Sequence, residues 1–180
     1  AVTLADGIAV RRAGVHTYPL VRQHADDLVT ATDGEIANAV LLLLEHEKTV
    51  AEGAGAAAMA ALLHDKVPMA KGRRTVVVIS GGNIDVNLMS RIIERGLVKS
   101  GRLMRLAVRV PDQVGVLADV AQLVGSLRAN ILEVSHQRAW GGIDIGQARV
   151  ELVLETRGFP HGEEIVHALR ARGYDVVSAS

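Results

Sequence analysis

The turn Ser80-Gly81-Gly82-Asn83 has the residue types of a ligand-binding loop. It follows Arg74 to Ile79, a β-branched run typical of a strand buried on both faces of a parallel sheet. Ligands of open α/β sheets bind at the carboxyl ends of strands, and the two glycines let the backbone approach a ligand closely. Ser80 would present a hydroxyl there and Asn83 an amide. The same residues also fit a simple glycine turn into a helix, with Asn83 or Asp85 as its N-cap, and both interpretations remain open.

A second loop has the pattern of a carboxylate site. Asp112-x-x-Gly115-x-Leu117 connects a strand to a helix, so backbone N–H groups at the helix N-terminus are available for the carboxylate of an amino acid. Asn130 and Ile131 start the next strand, and the Asn130 amide would hold the amino group. The alternative is a turn that only caps the helix.

Two further motifs favour a structural role. Gly53 to Ala58 matches G-x-G-x-x-A, but a helix end rather than an apolar strand precedes it, so we expect close helix packing and not dinucleotide binding. Glu163 and Glu164 lie one turn before His167, which is the spacing of a metal pair. No third ligand is evident, and the stretch has the pattern of the solvated face of an amphipathic helix.

The second half of the chain predicts a β-α-β-β-α-β order. Each predicted strand has one apolar face and two helical stripes would cover it, which is the ferredoxin-like arrangement. A loop containing Trp140-Gly141-Gly142 would join the two middle strands. The strands are predicted at Leu103 to Val110, Leu132 to His136, Ala148 to Leu154 and Tyr174 to Val177, and the helical stripes at Leu117 to Leu127 and Ile165 to Leu169, the latter ended by Gly173.

The first hundred residues predict an incomplete α/β segment. A capping box, Thr32-x-x-Glu35, opens a helix that runs to about Lys48. Further helices are predicted from Gly53 to His64 and from Asp85 to Ser100. Strands are predicted only at Leu28 to Thr30 and Val76 to Ile79. Two strands leave a parallel sheet with two open edges, so we expect this half to need partners.

Composition excludes several classes of function. The chain of 180 residues has 20 basic and 20 acidic residues and 2% aromatic residues, too little surplus charge and stacking surface for a nucleic-acid partner. Its apolar runs are too short to span a membrane. The absence of cysteine fits a cytoplasmic protein. The chain begins with Ala1 rather than methionine, and we expect it to be part of something longer.

Five segments together resemble threonine dehydratase (threonine ammonia-lyase) in its form that carries an ACT domain, an amino-acid-sensing module. Three resemble C-terminal stretches of its catalytic domain: Leu4 to Val10, Val50 to Ala56 and Ser80 to Asp85. Two resemble the ACT domain: Pro111 to Leu117 and Ala129 to Val134. The resemblance implies that residues 1–101 are the C-terminal segment of a tryptophan-synthase-β-like, fold type II catalytic domain and that residues 102–180 are a ferredoxin-like ACT domain.

The resemblance also implies a site for pyridoxal 5'-phosphate. Ser80 resembles the residue whose hydroxyl faces the pyridine nitrogen, with Gly81, Asn83, Glu52 and Gly7 as further cofactor-binding residues. A neutral hydroxyl cannot support a protonated pyridine as a carboxylate would, and the weaker electron sink suits β-elimination. In the ACT domain, the amino-acid effector would bind Asp112, Gly115, Leu117, Asn130 and Ile131.

The implied reaction converts L-threonine to 2-oxobutanoate and ammonia. The family requires a Schiff-base lysine in a Ser-x-Lys-x-Arg-Gly-Ala context, which Lys48, Lys66, Lys71 and Lys99 all lack. We therefore expect an N-terminal catalytic segment as a partner, inactivity of this chain alone, and a homo-oligomer formed through ACT domains. The alternative function is a stand-alone, non-catalytic regulatory protein that binds an amino acid.

Overall fold

The computed structural model describes residues 3–138 and 144–179, which form two compact units, residues 1–96 and 97–180. Each unit is described by itself below. The loop predicted at Trp140-Gly141-Gly142 lies outside the described residues.

The first unit is built from helices. These are α1 (Thr17–His24), α2 (Asp33–Leu42), α3 (Gly53–Leu63) and α4 (Val86–Lys99), with a π-helical turn at Leu43–Glu47 and 3-10 turns at Asp6–Ile8 and Pro68–Ala70. Sequence patterns predicted α2, α3 and α4 to within a few residues, whereas α1 was missed. Helix α1 has eight residues, all exposed, which is shorter than the window of about 11–18 residues over which apolar periodicity identifies a helix.

The capping box predicted at the start of α2 is confirmed. The Thr32 Oγ1 accepts a hydrogen bond from the Glu35 backbone N–H at 3.3 Å, and Glu35 Oε2 accepts one from the Thr32 N–H at 2.7 Å. Two of the unpaired N–H groups at the helix start are thereby satisfied. The helix then buries Ile36, Ala39 and Val40 against α3, mostly through small side chains.

The two strands predicted in this unit are wrong. Residues 28–30 and 74–79 belong to no helix or strand, and none of them has a backbone–backbone hydrogen bond to another described residue. A β-branched run becomes a strand only when a neighbour accepts and donates its ladder hydrogen bonds. Val76 and Val78 are 88% and 73% exposed, whereas Val77 and Ile79 are half-buried. One face of this run is covered and the other is open.

The second unit is a four-stranded antiparallel sheet with two helices. Its strands stand in the order β2-β3-β1-β4. Along the chain the elements are β1 (Leu103–Pro111), α5 (Val116–Ser126), β2 (Asn130–Gln137), β3 (Gln147–Glu155), α6 (Phe159–Ala171) and β4 (Asp175–Ala179).

Alternation along the strands decides which face of this sheet is buried. Leu106, Val108 and Val110 of β1 are buried as predicted, while Arg105 and Arg109 are exposed on the other face. Ala107, predicted on that second face, is buried as well. Strand β3 alternates in the same way and supplies four buried residues to the same core, Ala148, Val150, Leu152 and Leu154. The two helices add apolar side chains to it, among them Val120, Val124, Ile165 and Leu169.

A buried histidine fixes the start of α6. His161 Nδ1 accepts a hydrogen bond from the Arg157 N–H at 3.1 Å, so Nε2 carries the proton and donates to the Leu127 carbonyl at 2.9 Å. Thr156 is also buried, and its hydroxyl donates to the Gly101 carbonyl. These bonds join the loop before α6 to the end of α5 and to the start of the unit.

Candidate functional site

Three segments far apart in sequence meet at Glu52. This residue is the N-cap of α3, and its backbone N–H donates to the Gly81 carbonyl at 3.1 Å. A Cβ at Gly81 would lie 2.4 Å from Glu52 Oε1, and a Cβ at Gly7 would lie 3.4 Å from the same oxygen. The structure therefore brings Gly7, Glu52 and Gly81 together, with the Glu52 carboxylate against both glycines.

Two glycines of α3 let the backbones at Leu4 and Ser80 pack directly against this helix. A Cβ at Gly55 would lie 1.6 Å from the Ser80 carbonyl oxygen, and a Cβ at Gly53 would lie 2.2 Å from the Leu4 carbonyl oxygen. No side chain fits at such distances, so these positions require glycine. The interpretation of Gly53 to Ala58 as a close-packing motif is confirmed, and the packing fixes the turn that begins at Ser80.

At the turn after Ser80, the interpretation of Asp85 as a helix cap is confirmed. Asp85 Oδ1 accepts hydrogen bonds from the Asn87 and Leu88 backbone N–H groups at 2.9 and 3.0 Å, so Asp85 caps α4. Ser80 and Asn83 are exposed, and their side chains make no hydrogen bond to another described residue. Their hydroxyl and amide remain available for a ligand.

The predicted effector residues fall into two groups within one chain. Gly115, with φ of +90°, is the N-cap of α5 and stands beside Asp112 at the end of β1. Asn130 pairs with Glu155, which also pairs with Leu103 at the start of β1. Eight residues of β3, roughly 25 Å, separate these two ends of the sheet. One small amino acid cannot contact both groups in a single chain, which corrects the expectation of one local site.

Arg138, directly after β2, contacts the Asp112 loop, and sequence analysis missed it. Its Nε lies 3.0 Å from Asp112 Oδ1, and the Asp112 N–H donates to the Gly146 carbonyl at 2.9 Å. Leu117 and Ile131 pack partly buried against the core, so they support the loops and present little surface to solvent. No spacing in the sequence links residues 112 and 138, because their contact depends on the alignment of β1 and β2 across β3.

A second polar cluster joins α5 to the turn before β4. Asp119 Oδ2 accepts a hydrogen bond from the Tyr174 hydroxyl at 2.5 Å, and Oδ1 accepts one from Arg172 Nη2 at 2.6 Å. The hydrogen bond from Tyr174, aided by Arg172, lowers the pKa of the Asp119 carboxyl below its ordinary value. Burial and the neighbouring carboxylate raise the pKa of Tyr174.

The part of the chain that the structure describes has neither a metal site nor a membrane-spanning helix. No group of three potential ligands could hold a metal ion there, and Glu163, Glu164 and His167 form no such group. None of its helices is both long enough and apolar enough to cross a lipid bilayer.

Residues 1–81 match the family of pyridoxal-phosphate dependent enzymes. An L-threonine ammonia-lyase from Thermotoga maritima is 49% identical over 174 residues, which cover 97% of this chain and 43% of that protein. One from Geobacter sulfurreducens is 46% identical over 96% of this chain and 43% of its own length. The catabolic L-threonine dehydratase of Escherichia coli K12 is 48% identical over 91 residues, half of this chain. The chain thus spans less than half the length of these curated relatives.

Proposed function

The chain is a homologue of part of the L-threonine ammonia-lyases, and we propose that it is the C-terminal portion of such an enzyme, with an amino-acid-sensing domain at its end. The complete enzyme would convert L-threonine to 2-oxobutanoate and ammonia. A stand-alone regulatory protein is not favoured, because the match to pyridoxal-phosphate dependent enzymes covers the first 81 residues.

The observation that carries this proposal is the meeting of Gly7, Glu52 and Gly81 beside Ser80. The same segments that resemble the catalytic domain are the ones that pack on each other. A Cβ at Gly81 would occupy the space now taken by the Glu52 carboxylate, and the Ser80 hydroxyl and Asn83 amide beside it are exposed. A polar cradle of this kind fits one edge of a pyridoxal phosphate ring.

When bound, pyridoxal phosphate supplies the electron sink for removal of the threonine α-proton. Ser80 would hold the pyridine nitrogen through its hydroxyl, which brings no negative charge and so leaves the ring unprotonated. Glu52 would set the position of this turn, since it bonds Gly81 through its backbone and packs on it through its carboxylate. Asn83 would border the ring on the same edge.

The Schiff-base lysine would come from a different stretch of the enzyme. Lys66 lies 3.2 Å from Glu35 in an ion pair, and Lys48 donates to the Glu45 carbonyl at 2.6 Å, so both already have partners. We expect the chain alone to have no lyase activity.

The test joins this chain to the preceding part of the Thermotoga maritima relative. With pyridoxal phosphate, the joined protein should acquire the yellow absorbance of the bound cofactor and release 2-oxobutanoate from L-threonine, and this chain alone should do neither. Ser80→Ala should lower kcat at least tenfold while Ser90→Ala, a control in α4, changes nothing. A colourless joined protein, or a Ser80→Ala variant with unchanged kcat, would refute the assignment.

The second unit fits the proposed ACT domain in its ferredoxin-like arrangement. Its element order is β-α-β-β-α-β, and its two outer strands are β2 and β4. The Asp112 loop offers backbone N–H groups at the start of α5 for the carboxylate of an amino-acid effector. The Asn130 amide is exposed, at 3.4 Å from Glu155 Oε2.

A second copy of the chain would unite the two groups of effector residues. Strand β2 is an edge strand, with Leu132 and Val134 about half-exposed. If two β2 strands pair antiparallel about an axis at Val134, position 130 of one copy stands opposite position 138 of the other. Asn130 of the second copy then lies beside Arg138, which holds Asp112. The effector would bind between two chains.

Titration with isoleucine, valine, threonine and serine tests this assignment. Asn130→Ala and Asp112→Ala should each weaken binding by roughly tenfold, since each removes a hydrogen bond to a charged group. A mixed dimer of the two variants should regain one intact site of the two. Affinity that both substitutions leave unchanged would refute the placement of the effector site.

A further inference from the structure

The second unit has a surface cavity of about 300 Å3 along α6 that opens widely to solvent. It is lined by Met104, Glu163, Val166, His167 and Arg170, and it shares no residue with the effector site proposed above. Its volume is at the lower end of the range for small-molecule sites, roughly 300–1,000 Å3. It is therefore large enough for a small molecule.

The apolar floor of the cavity depends on a glycine. Met104, near the start of β1, and Val166, on α6, are partly buried and form this floor. A Cβ at Gly162 would lie 2.9 Å from both the Sδ and the Cε of Met104. The missing side chain at Gly162 lets the Met104 thioether lie against the helix and leaves the space beyond it open.

The rim of the cavity carries charges of both signs. Glu163, His167 and Arg170 follow each other at spacings of four and three residues, so they share one face of α6. Among the described residues, none of these three side chains makes a hydrogen bond or an ion pair with another. Glu163 and Arg170 stand two turns apart, about 10 Å along the axis, and both are long enough to reach over Val166.

We propose that this cavity is a second amino-acid site, specific for a zwitterion with an aliphatic side chain. Glu163 would bind the ammonium group, Arg170 the carboxylate, and Met104 with Val166 the side chain. A simple anion would face the Glu163 carboxylate and a simple cation the Arg170 guanidinium, whereas a neutral molecule would leave both charges unpaired. Only a ligand with both charges complements the rim.

This site extends the amino-acid-sensing role proposed for the unit, so its test must separate the two sites. The purified Asn130→Ala chain is titrated calorimetrically with L-isoleucine, at concentrations that leave the first site, weakened roughly tenfold, little occupied. In that background, Glu163→Gln and Arg170→Gln should each weaken binding by roughly tenfold. The matched control is Glu164→Gln, the adjacent exposed carboxylate of α6 that does not line the cavity, and it should have no effect.

Two isoleucine analogues assign each charge to its partner. The des-amino analogue, a simple anion, should bind the Asn130→Ala chain no less tightly after Glu163→Gln, because that substitution removes a like charge. The des-carboxy analogue, a simple cation, should likewise bind no less tightly after Arg170→Gln. Gly162→Ala should push the Met104 thioether into the cavity and weaken isoleucine binding without loss of helix content, because alanine favours helices.

The outcomes separate the two sites. An Asn130→Ala chain that binds no isoleucine, or binds it equally with and without Glu163→Gln and Arg170→Gln, overturns the second site and leaves the first intact. Loss of all binding in Glu163→Gln and Arg170→Gln, with Asn130→Ala unaffected, overturns the first site and supports the second.

Discussion

At the scale of single residues, Gly81 carries two constraints at once. Its φ of +74° lies in the left-handed region that favours glycine, and its missing side chain leaves the space that the Glu52 carboxylate fills. The effect of the backbone conformation can be measured apart from the effect of the contact with Glu52. Gly72 has a nearly identical φ of +73°, but a Cβ added there would have no atom within 4 Å.

We predict that Gly81→Ala destabilises the first unit more than Gly72→Ala does. Gly72→Ala should lower the free energy of unfolding by roughly 1–2 kcal/mol, because alanine is strained in the left-handed backbone conformation. Gly81→Ala adds displacement of the Glu52 carboxylate, so its free energy of unfolding should fall further. Urea denaturation of both variants measures the difference, and equal losses would show that Glu52 does not press on Gly81.

Tyr174 and Asp119 give the second unit a defined dependence on pH. The hydrogen bond from Tyr174 lowers the pKa of Asp119 below its usual 3.8, so the stabilisation is present above that pH and is lost as the pH falls through the lowered pKa. The raised pKa of Tyr174 adds a loss of stability as the pH rises past 10.0.

We predict that Tyr174→Phe makes the stability of the second unit less dependent on pH in acid. Without the phenol donor, the pKa of Asp119 returns toward its ordinary value, and Tm should fall less steeply below pH 3.8 than in the unmodified chain. Tyr18→Phe is the control, since Tyr18 is about half-exposed and its hydroxyl makes no bond to a described residue. Parallel Tm curves for Tyr174→Phe and the unmodified chain would contradict the assignment.

At the scale of elements, the start of α2 depends on one hydroxyl. Thr32→Ala removes the acceptor for the Glu35 N–H and leaves that donor unpaired. We predict a loss of about 1 kcal/mol in the unfolding free energy of the first unit. Thr75→Ala, at an exposed threonine without a hydrogen bond to a described residue, is the matched control. Equal stability of the two variants would show that the capping box contributes nothing.

At the scale of the whole molecule, the exposed edge of β2 is the feature that determines assembly in our proposal. We predict that Val134→Lys converts a dimer to monomers, because two like charges would meet at the axis of the paired strands. Val177→Lys, on the opposite edge strand β4, should leave the dimer intact. Sedimentation velocity distinguishes the two outcomes, and a dimer that survives Val134→Lys would exclude pairing through β2.

The first unit has a different exposed surface, the run of residues 74–79. Its β-branched composition predicted a strand buried on both faces, yet Val76 and Val78 are exposed and the backbone has no ladder partner among the described residues. The pattern was interpreted correctly as a sequence that favours a strand, but a strand forms only with a neighbour. Composition indicates a preference, and pairing decides the structure.

The sequence by itself determined the capped helix α2, the buried alternation of β1 and β3 and the similarity to the L-threonine ammonia-lyases, because each follows from local periodicity or from short motifs. The same alternation in β2 did not predict its exposure, since Leu132 and Val134 lie about half-exposed on an edge strand. Only the tertiary structure decided which residues meet. It placed the Glu52 carboxylate between Gly7 and Gly81, paired Arg138 with Asp112, and set Asn130 at the far end of the sheet from Gly115. Such contacts depend on strand register and on close backbone approach, which join residues with no fixed spacing in the chain.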